Sequence, residues 1–440
     1  MTPSSESART PGSPPAWYRL TPYLGRPPAL TPRQWRLLAL VSLVSLFEQY
    51  DVYLFSLNLS HIQRELGIDE GQLGLLGGIV RAGAFGAVLL SLAADRFGRR
   101  RILLLTVLAY TVLTGATAFA PNAAWFVVCQ TLARAFASAE TLLAVVVIAE
   151  EFEAQHRGWG IGALGAITSI GAGLAAVLFG FVDSLPGGWR ALYLVGLAPL
   201  LVLAWLRRSM TETERYLALE RERQIAPQAV LALGSVASLL RSYPGRLLAV
   251  AGSALLIGLS LAPATFFAPK YLQDSLGWSP AAVAGLNIGG GSFAMIGNPL
   301  SGWLGDRWGR RPVASVFAVL AGIAAVALYT SSGAIAGLLW VLLIFGINGV
   351  EVTLAACAAE LFPTSQRSTA SGVRAFAATL GVVLGLAGVS VLRDALGSSW
   401  SAVIALATLA LPVPLLVLLA FPETAGRALE DIAPERPAGA

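Results

Sequence analysis

The chain has 440 residues, of which 56% are hydrophobic and only 12% are charged. An ordinary soluble domain is about 45–50% apolar and about 25% charged, so this composition excludes a water-soluble domain. The high apolar content also excludes a disordered chain, and the net charge of +5 is that of a cationic membrane protein and does not indicate a nucleic-acid partner.

Twelve apolar stretches follow one another along the chain. Each is long enough to cross the roughly 30 Å hydrocarbon core of a bilayer as an α-helix. They lie at 36–59, 73–94, 102–120, 124–149, 159–182, 190–206, 246–268, 279–304, 312–330, 333–359, 368–392 and 398–421. We therefore predict an all-α membrane protein with twelve transmembrane helices.

The remaining segments are two tails and one long connection. Residues 1–35 are rich in Pro and Ser, and residues 422–440 follow the last apolar stretch. Residues 207–245 begin with a dense run of charge and continue as a segment that can form an amphipathic helix on the membrane face. We predict an N-terminal six-helix bundle at 36–206 and a C-terminal one at 246–421, joined by this linker.

Two motifs occur twice at nearly the same spacing, which is the signature of an internal repeat. DRFGRRR begins at Asp95, and DRWGRRP begins at Asp306, 211 residues later. In the next repeated loop, Glu150 recurs as Glu360 and Arg157 recurs as Arg367, each 210 residues later. The two halves are therefore predicted to be homologous and parallel, related by a pseudo-two-fold axis along the membrane normal.

The distribution of basic residues predicts the orientation. Most of the 30 basic residues lie in the tails, the linker and the repeated loops, on one side of the predicted membrane. Because cytoplasmic loops carry an excess of Lys and Arg, both termini are predicted to be cytoplasmic in a multi-pass protein of the plasma (inner) membrane. The few basic residues placed in outer loops include Lys270, the only Lys of the chain.

With the twelve stretches and the linker, the two copies of the DRxGRR motif resemble the major facilitator superfamily (MFS) of secondary transporters. The resemblance implies the MFS fold of two pseudo-symmetric six-helix bundles, with a conformational latch on the cytoplasmic side. The latch residues that it implies are Asp95, Arg99, Glu150, Arg157, Asp306, Arg310, Glu360 and Arg367. The alternative is that these charged residues only set the topology of the chain in the membrane. Ser91 departs from the family pattern, because it occupies the first Gly position of the motif.

Seven charged residues fall inside the predicted spans, where each costs about 2.5–3.5 kcal/mol near the bilayer centre and usually pairs or lines a cavity. Glu48 and Asp51 are three residues apart on one face of the first span. Two carboxylates this close in a low dielectric cannot both ionise cheaply, so one of them is suited to carry a proton. The alternative is an ion pair with Arg81 or Arg134 that only orders the bundle. The residues predicted to couple protons are Glu48, Asp51, Glu140 and Glu351.

Two Arg residues in the spans favour an anionic substrate, because a desolvated guanidinium binds a carboxylate through two hydrogen bonds. The residues predicted to bind substrate are Arg81 and Arg134, with Asn287 and Asn298 as further donors in the eighth span. Arg374 lies near the cytoplasmic end of its span and is expected to snorkel to the interface.

The paired acids of the first span resemble those of the aromatic-acid/proton symporter branch and, in part, sugar-porter-like branches. Two departures stand out, since Glu48 replaces the usual Asp and Gln130 replaces the usual Arg, with Arg134 one turn later.

The expected function is secondary active transport, in the form of proton-coupled symport of a small organic, anionic solute by rocker-switch alternating access. A proton-coupled efflux antiporter of a metabolite or drug, or a sugar uptake transporter, is the alternative. The loops contain no catalytic, nucleotide-binding or metal-binding motif, so we expect neither enzyme activity nor a cofactor. The expected partners are the solute, protons and the lipid bilayer, with no nucleic acid, and the protein is expected to be a monomer.

Overall fold

The computed structural model describes residues 15, 18, 27–97, 99–153, 156–207, 232–331, 333–363, 366–425 and 432–433. These residues form helices and short connections, and none of them lies in a β-strand, so the predicted all-α class is confirmed. By backbone contacts the chain divides into two compact units. Unit 1 contains Met1–Phe55 and Gly83–Gln228, and unit 2 contains Ser56–Ala82 and Ala229–Ala440.

The first half of the chain begins with a long helix and continues through three shorter ones, with a 3-10 turn before each of the last two. Its helices are α1 (Pro32–Leu57), α2 (Leu59–Leu66), α3 (Leu73–Ala82), α4 (Gly86–Phe97), α5 (Arg99–Ala118), α6 (Ala123–Glu151), α7 (Arg157–Phe179) and α8 (Trp189–Arg207). Asn122 begins α6 by accepting a hydrogen bond from the Trp125 amide at 2.9 Å, as expected of a polar N-cap residue.

The second half repeats this pattern with one helix that is more strongly divided. Its helices are α9 (Ala232–Ser242), α10 (Pro244–Asp274), α11 (Pro280–Gly285), α12 (Gly291–Ala294), α13 (Gly297–Trp308), α14 (Arg310–Thr330), α15 (Ala336–Glu360), α16 (Arg367–Leu396), α17 (Ser399–Ala407) and α18 (Val413–Ala420). Helix α10 begins with Pro244 in its first turn, where the missing amide hydrogen is not needed.

Ten helical segments among the described residues are long and apolar enough to cross a membrane. The predicted stretch at 190–206 corresponds to a shorter apolar helix, Trp189–Leu201. The stretch at 279–304, predicted as one span, is instead divided into α11, a π-helical turn at Leu286–Gly290, α12 and α13. Glycine costs about 1 kcal/mol in a helix interior and weakens this stretch, but α7 has as many glycines and is undivided, so glycine content alone does not divide the helix.

Unit 1 has its core between α1, α6 and α7. A cluster of buried residues joins these helices and includes Trp35, Phe152 and Leu164. Tyr18 of the N-terminal segment packs against the same cluster, with its ring centroid 5.2 Å from that of Trp35 and 6.2 Å from that of Trp159. Tyr18, which belongs to the predicted N-terminal tail, is therefore held against the ends of these helices by aromatic contacts.

Unit 2 is built on the close packing of α10 against α16. A Cβ at Gly258 would lie 2.4 Å from the Ala378 carbonyl oxygen, and one at Gly381 would lie 2.2 Å from that of Leu255. Such small residues let helix backbones approach within a bilayer, where lipid tails provide no hydrophobic drive for association. Helix α3 also packs on α16, and the Leu75 amide donates to Ser390 Oγ at 2.9 Å.

The structure corrects the placement of Lys270. The outer loop predicted after residue 268 begins later, because α10 continues to Asp274 despite two prolines inside it. Lys270 is 4% exposed and forms an ion pair with Asp274, one helical turn away. The apolar residues around Lys270 extend the buried face of the helix beyond the predicted stretch.

The predicted division into two bundles with tails and a linker remains a prediction. Residues 208–231 of the linker and most of both tails lie outside the described residues. The described end of the linker is α9, which agrees with the helix predicted there.

Candidate functional site

Two carboxylates of α1 lie inside unit 1. Glu48 is 7% exposed and Asp51 is 6% exposed, although the helix is otherwise mainly apolar. Removing a carboxylate from water is costly unless cations or hydrogen-bond donors replace the solvent. The neighbouring helices therefore have to supply those groups.

Arg134 of α6 is the cation that faces these carboxylates. Its Nη1 lies 3.8 Å from Glu48 Oε1, which is longer than a hydrogen bond, and it also interacts electrostatically with Asp51. Thr141 donates a hydrogen bond to the other oxygen of Glu48. Among the described residues, neither Nε nor Nη1 of Arg134 has a hydrogen-bond partner. The single positive charge of Arg134 thus faces two carboxylates, and two of its nitrogen donors form no hydrogen bond within the described residues.

Glu140, one of the predicted coupling residues, lies on the same helix as Arg134 but has a different neighbour. It is 1% exposed, and its Oε2 accepts a hydrogen bond from Thr106 Oγ1 of α5 at 3.0 Å. This contact joins α5 and α6. Glu48 and Glu140 therefore each accept a hydrogen bond from a threonine hydroxyl, and Glu48 lies beside Arg134 as well.

Unit 2 contains a second intramembrane ion pair. Arg374 Nη1 of α16 donates to Glu351 Oε2 of α15 at 3.0 Å. A carboxylate on the adjacent helix is therefore close enough to bind Arg374 directly, while the expectation that Arg374 snorkels stays a prediction. The Glu351 side chain is 41% exposed, so its surroundings are more open than those of Glu48.

The other residues predicted to bind substrate lie in unit 2. Arg81 is in the last turn of α3 and is half-buried. Asn287 lies in the π-helical turn, and its Nδ2 donates to the Val283 carbonyl of its own helix at 2.8 Å. Asn298 is half-buried on α13. Their substrate-binding role remains a prediction.

The predicted latch residues of unit 2 form a network. Arg310 at the start of α14 contacts Asp306 at 3.3 Å and Glu360 at 2.7 Å. The side chains of Asp95 and Arg99, the predicted counterparts in the first half, lie outside the described residues.

The second repeated motif has the same geometry in both units. Arg157 Nε donates to the Phe152 carbonyl at 3.0 Å, and Arg367 Nε donates to the Phe362 carbonyl at 3.2 Å. Each Arg begins one helix and binds a carbonyl just beyond the preceding helix. Glu150, near the end of α6, is half-buried. These Arg contacts show the 210-residue repeat in three dimensions.

The sequence did not reveal the role of Glu423. Its Oε1 accepts hydrogen bonds from the amides of Arg310 at 2.8 Å and of Thr424 and Ala425, and its Oε2 accepts from the Arg311 amide at 3.3 Å. Partial burial works to raise the pKa of this carboxyl, but the four amide donors outweigh it and hold the pKa below its usual value. Glu423 therefore caps the N-terminus of α14 from 113 residues away.

Gly309 makes this cap possible. Its φ of 100° lies in the region that favours glycine, and a Cβ there would lie 2.6 Å from Glu423 Oε2. The Gly of the repeated motif was a visible signal for the turn. The capping carboxylate was not, since it lies far along the chain from the motif.

The described residues contain no group of three or more His, Cys, Asp or Glu side chains that could hold a metal ion. Both cysteines are buried and free.

Comparison with known proteins agrees with this architecture. The family model of the Major Facilitator Superfamily matches residues 41–385 and 253–437. The chain is 28% identical to a probable 4-methylmuconolactone transporter of Cupriavidus pinatubonensis, covering 88% of this chain and 90% of that protein. It is 29% identical to the 4-hydroxybenzoate transporter PcaK of Pseudomonas aeruginosa, covering 88% and 91%.

Solved structures show the same fold. The crystal structure of a D-xylose–proton symporter matches with a TM-score of 0.73 at 18% identity, covering 89% of this chain and 99% of that one. The inward-open xylose transporter XylE from E. coli matches with a TM-score of 0.72 at 18% identity, covering 91% and 99%. The helical spans, the repeated Arg motifs and the extent of the family match lead to one conclusion: the chain belongs to the Major Facilitator Superfamily and is a multi-pass membrane transporter, not an enzyme.

Proposed function

We propose that this protein is a secondary transporter that carries a small organic-acid anion together with a proton across the plasma membrane. The names of its relatives support the substrate class. They are transporters of 4-methylmuconolactone, 4-hydroxybenzoate and, in Corynebacterium glutamicum at 26% identity, gentisate. A carboxylate on an aromatic ring or on a product of its cleavage is the chemistry that we assign to the substrate.

The observation that carries the proposal is the state of Arg134. It is half-buried beside the buried Glu48 and Asp51, its Nη1 lies 3.8 Å from Glu48 Oε1, and two of its nitrogens have no hydrogen-bond partner among the described residues. A guanidinium binds a carboxylate best through two parallel hydrogen bonds. Arg134 retains donors for such a bond with a substrate.

Proton coupling follows from the excess of acid around this Arg. With both carboxylates charged, Glu48 and Asp51 compete with an incoming anion for Arg134. Protonation of either one removes a negative charge and strengthens the attraction between Arg134 and the substrate carboxylate. The substrate and the proton therefore favour each other's binding, which supports their transport together.

The remaining parts of the proposal concern the transport cycle. Alternating access is expected to expose the Arg134 site to one side of the membrane at a time, with both termini in the cytoplasm. The contacts of Arg310 with Asp306 and Glu360 support a role for these residues in a cytoplasmic latch, because they tie the ends of α13, α14 and α15 together.

The experiment measures uptake of labelled 4-hydroxybenzoate into proteoliposomes under an imposed pH gradient. Wild-type protein is expected to take up substrate when the outside is acidic. Asp51→Asn and Glu48→Gln are expected to lose at least about tenfold of gradient-driven uptake, since a carboxamide cannot carry the proton. Glu153→Gln is the control, because the Glu153 side chain is 69% exposed.

Counterflow without a pH gradient separates binding from coupling. A coupling variant is expected to exchange labelled for unlabelled substrate while failing to accumulate it. Full gradient-driven uptake by both carboxamide variants would contradict the proposal. Accumulation only when the inside is acidic would favour efflux by antiport.

A further inference from the structure

Thr141 makes a contact that has no role in the transport cycle proposed above. It lies on α6, and its Oγ1 donates a hydrogen bond to Oε2 of Glu48 on α1. A threonine in a helix can instead return its hydroxyl to a carbonyl of its own helix, three or four residues earlier. Thr131 of α6 does so, since its Oγ1 donates to the Val127 carbonyl at 2.7 Å. The hydroxyl of Thr141 therefore serves a carboxylate on a different helix.

Glu48 has a different neighbour at each of its two carboxylate oxygens, and both neighbours belong to α6. Oε2 accepts the hydrogen bond from Thr141, while Oε1 lies 3.8 Å from Nη1 of Arg134. Seven residues separate Arg134 from Thr141, so the two side chains lie on the same face of α6, about 10 Å apart along its axis. Because Glu48 is 7% exposed, these protein groups determine where its carboxylate lies.

The separation of Glu48 from Arg134 is larger than that of a hydrogen-bonded ion pair. A guanidinium and a carboxylate that bond directly are about 2.7–2.9 Å apart. Arg374 and Glu351 of unit 2 approach this length, at 3.0 Å, and no hydroxyl among the described residues donates to that carboxylate. In unit 1 a hydroxyl does bind the carboxylate, and Nε and Nη1 of Arg134 form no hydrogen bond within the described residues. The threonine contact and the long ion pair thus occur together.

We propose that Thr141 is a positioning residue that holds the Glu48 carboxylate back from Arg134 and so keeps the guanidinium open to the carboxylate of the substrate. Without the hydroxyl, Oε2 of Glu48 would be a buried acceptor that lacks a donor, which is unfavourable. Arg134 offers donors that could satisfy it, and the substrate would then have to displace Glu48 before binding. The inference rests on the proposed role of Arg134 in substrate binding.

The experiment compares Thr141→Val with Thr141→Ser in proteoliposomes that exchange labelled for unlabelled 4-hydroxybenzoate without a pH gradient. Valine has nearly the shape of threonine but no hydroxyl. Glu48 is therefore expected to move onto Arg134, and the half-saturating concentration is expected to rise at least about fivefold, with a maximum rate within about twofold of wild type. Thr141→Ser keeps the donor and is expected to retain the wild-type affinity. Thr131→Val is the matched control, because it removes a hydroxyl whose hydrogen bond stays within α6.

A double variant tests whether Thr141 acts through Glu48. Glu48→Gln replaces the charged group that would bind Arg134 by a neutral one. Adding Thr141→Val to Glu48→Gln is therefore expected to change the half-saturating concentration by less than about twofold. If Thr141→Val raised that concentration equally in both backgrounds, Thr141 would act on the substrate or on helix packing, and the positioning role would be overturned.

A second readout does not depend on the substrate. Phenylglyoxal modifies free guanidinium groups, and mass spectrometry of the peptide that contains Arg134 measures the labelling of this side chain, which is 22% exposed. A direct bond to Glu48 in Thr141→Val is expected to reduce this labelling at least about threefold, while the labelling of the exposed Arg36 stays unchanged.

The two readouts separate this inference from the proposed function. If wild type exchanges 4-hydroxybenzoate and either readout is the same in folded Thr141→Val as in wild type, the positioning role of Thr141 is overturned and the proposed function stands. If the labelling of Arg134 falls in Thr141→Val but wild type transports no organic acid, the proposed function fails. In that case Thr141 still holds Glu48 away from Arg134.

Discussion

The two intramembrane ion pairs have the same residue types and different surroundings. In unit 1, Arg134 lies 3.8 Å from a Glu48 side chain that is 10% exposed, and a second carboxylate competes for the same guanidinium. In unit 2, Arg374 bonds Glu351 at 3.0 Å, and that carboxylate is 41% exposed. The Arg374 pair is short and its carboxylate is exposed, while the Arg134 pair is long, its carboxylate is buried, and a second acid lies beside it.

The difference shows why the presence of a charge in a span does not define its role. A direct hydrogen-bonded pair satisfies both partners and needs no ligand. Two buried carboxylates beside an Arg that lies beyond hydrogen-bond distance of Glu48 are costly to the fold, because their desolvation is only partly offset. Such an arrangement is understandable where a substrate completes it, which is why we place the coupling in unit 1.

The largest expected effect separates the two Arg residues. Arg134→Gln leaves two buried carboxylates without a cation, so we expect unfolding free energy to fall by about 3–5 kcal/mol and uptake to fall at least tenfold. Arg374→Gln leaves a carboxylate whose side chain is 41% exposed, so a loss of about 1 kcal/mol or less and uptake within about twofold of wild type are expected. Chemical unfolding in detergent and initial rates in proteoliposomes measure the two effects.

Arg134→Lys is the matched control for that comparison. It keeps the charge but not the planar fork, so it is expected to restore more of the stability than of the uptake. Equal loss of uptake in Arg134→Gln and Arg374→Gln would show that both pairs serve transport, and it would favour the coupling role predicted for Glu351.

An effect of intermediate size is expected at Glu423, whose carboxylate accepts hydrogen bonds from four backbone amides. Four backbone amides lower the pKa of Glu423, so its charged form stabilises the fold at neutral pH. Glu423→Gln is expected to lower unfolding free energy by about 1 kcal/mol at pH 7, allowing for solvent screening at this half-buried site. The ordinary pKa of glutamate is about 4.3, and the pKa of Glu423 in the folded protein is lower. The difference in stability from wild type should therefore decrease once the pH falls below about 4.3 and disappear when the pH has passed the lower pKa of the folded protein.

The pH series is read from thermal unfolding of both proteins in the same detergent. Asp306→Asn is the control, because the Asp306 side chain is 69% exposed and its loss is expected to matter little at any pH. A Glu423→Gln difference that persisted unchanged at pH 3 would mean that packing, and not the charge, stabilises the end of α14.

The smallest effect concerns an exposed ion pair. Arg393 at the end of α16 contacts Asp69 at 3.3 Å and Glu70 at 3.7 Å, and the Asp69 side chain is 68% exposed. We expect Arg393→Gln to cost between zero and about 1 kcal/mol, with a dependence on salt that Arg134→Gln lacks. Unfolding midpoints at low and high salt measure this loss of stability. If Arg393→Gln lost as much stability as Arg134→Gln, burial of the carboxylates would not explain why the variants differ.

Most of the architecture was predictable because it rests on composition and repetition. Helix length follows from bilayer thickness, and the Arg157 and Arg367 contacts confirm the repeat deduced from spacing. The burial of Glu48 and Asp51 was also foreseeable, since the first span is otherwise apolar.

The parts that were not predictable depend on side chains brought together from distant positions. The ion pair of Arg374 with Glu351 was missed because nothing in the sequence places the two residues side by side. Glu423 was missed because a cap for α14 can come from any exposed carboxylate near its start. The π-helical turn at Leu286–Gly290 depends on local packing of glycines, which hydrophobic periodicity does not register.

The buried position of Lys270 gives the protein an internal marker. A protease specific for lysine has one peptide bond to cut in all 440 residues, and that bond lies inside α10. Cleavage therefore requires this helix to open, and it yields two fragments of 270 and 170 residues. The appearance of these fragments on a gel reports the opening of α10 without any dye, tag or engineered residue.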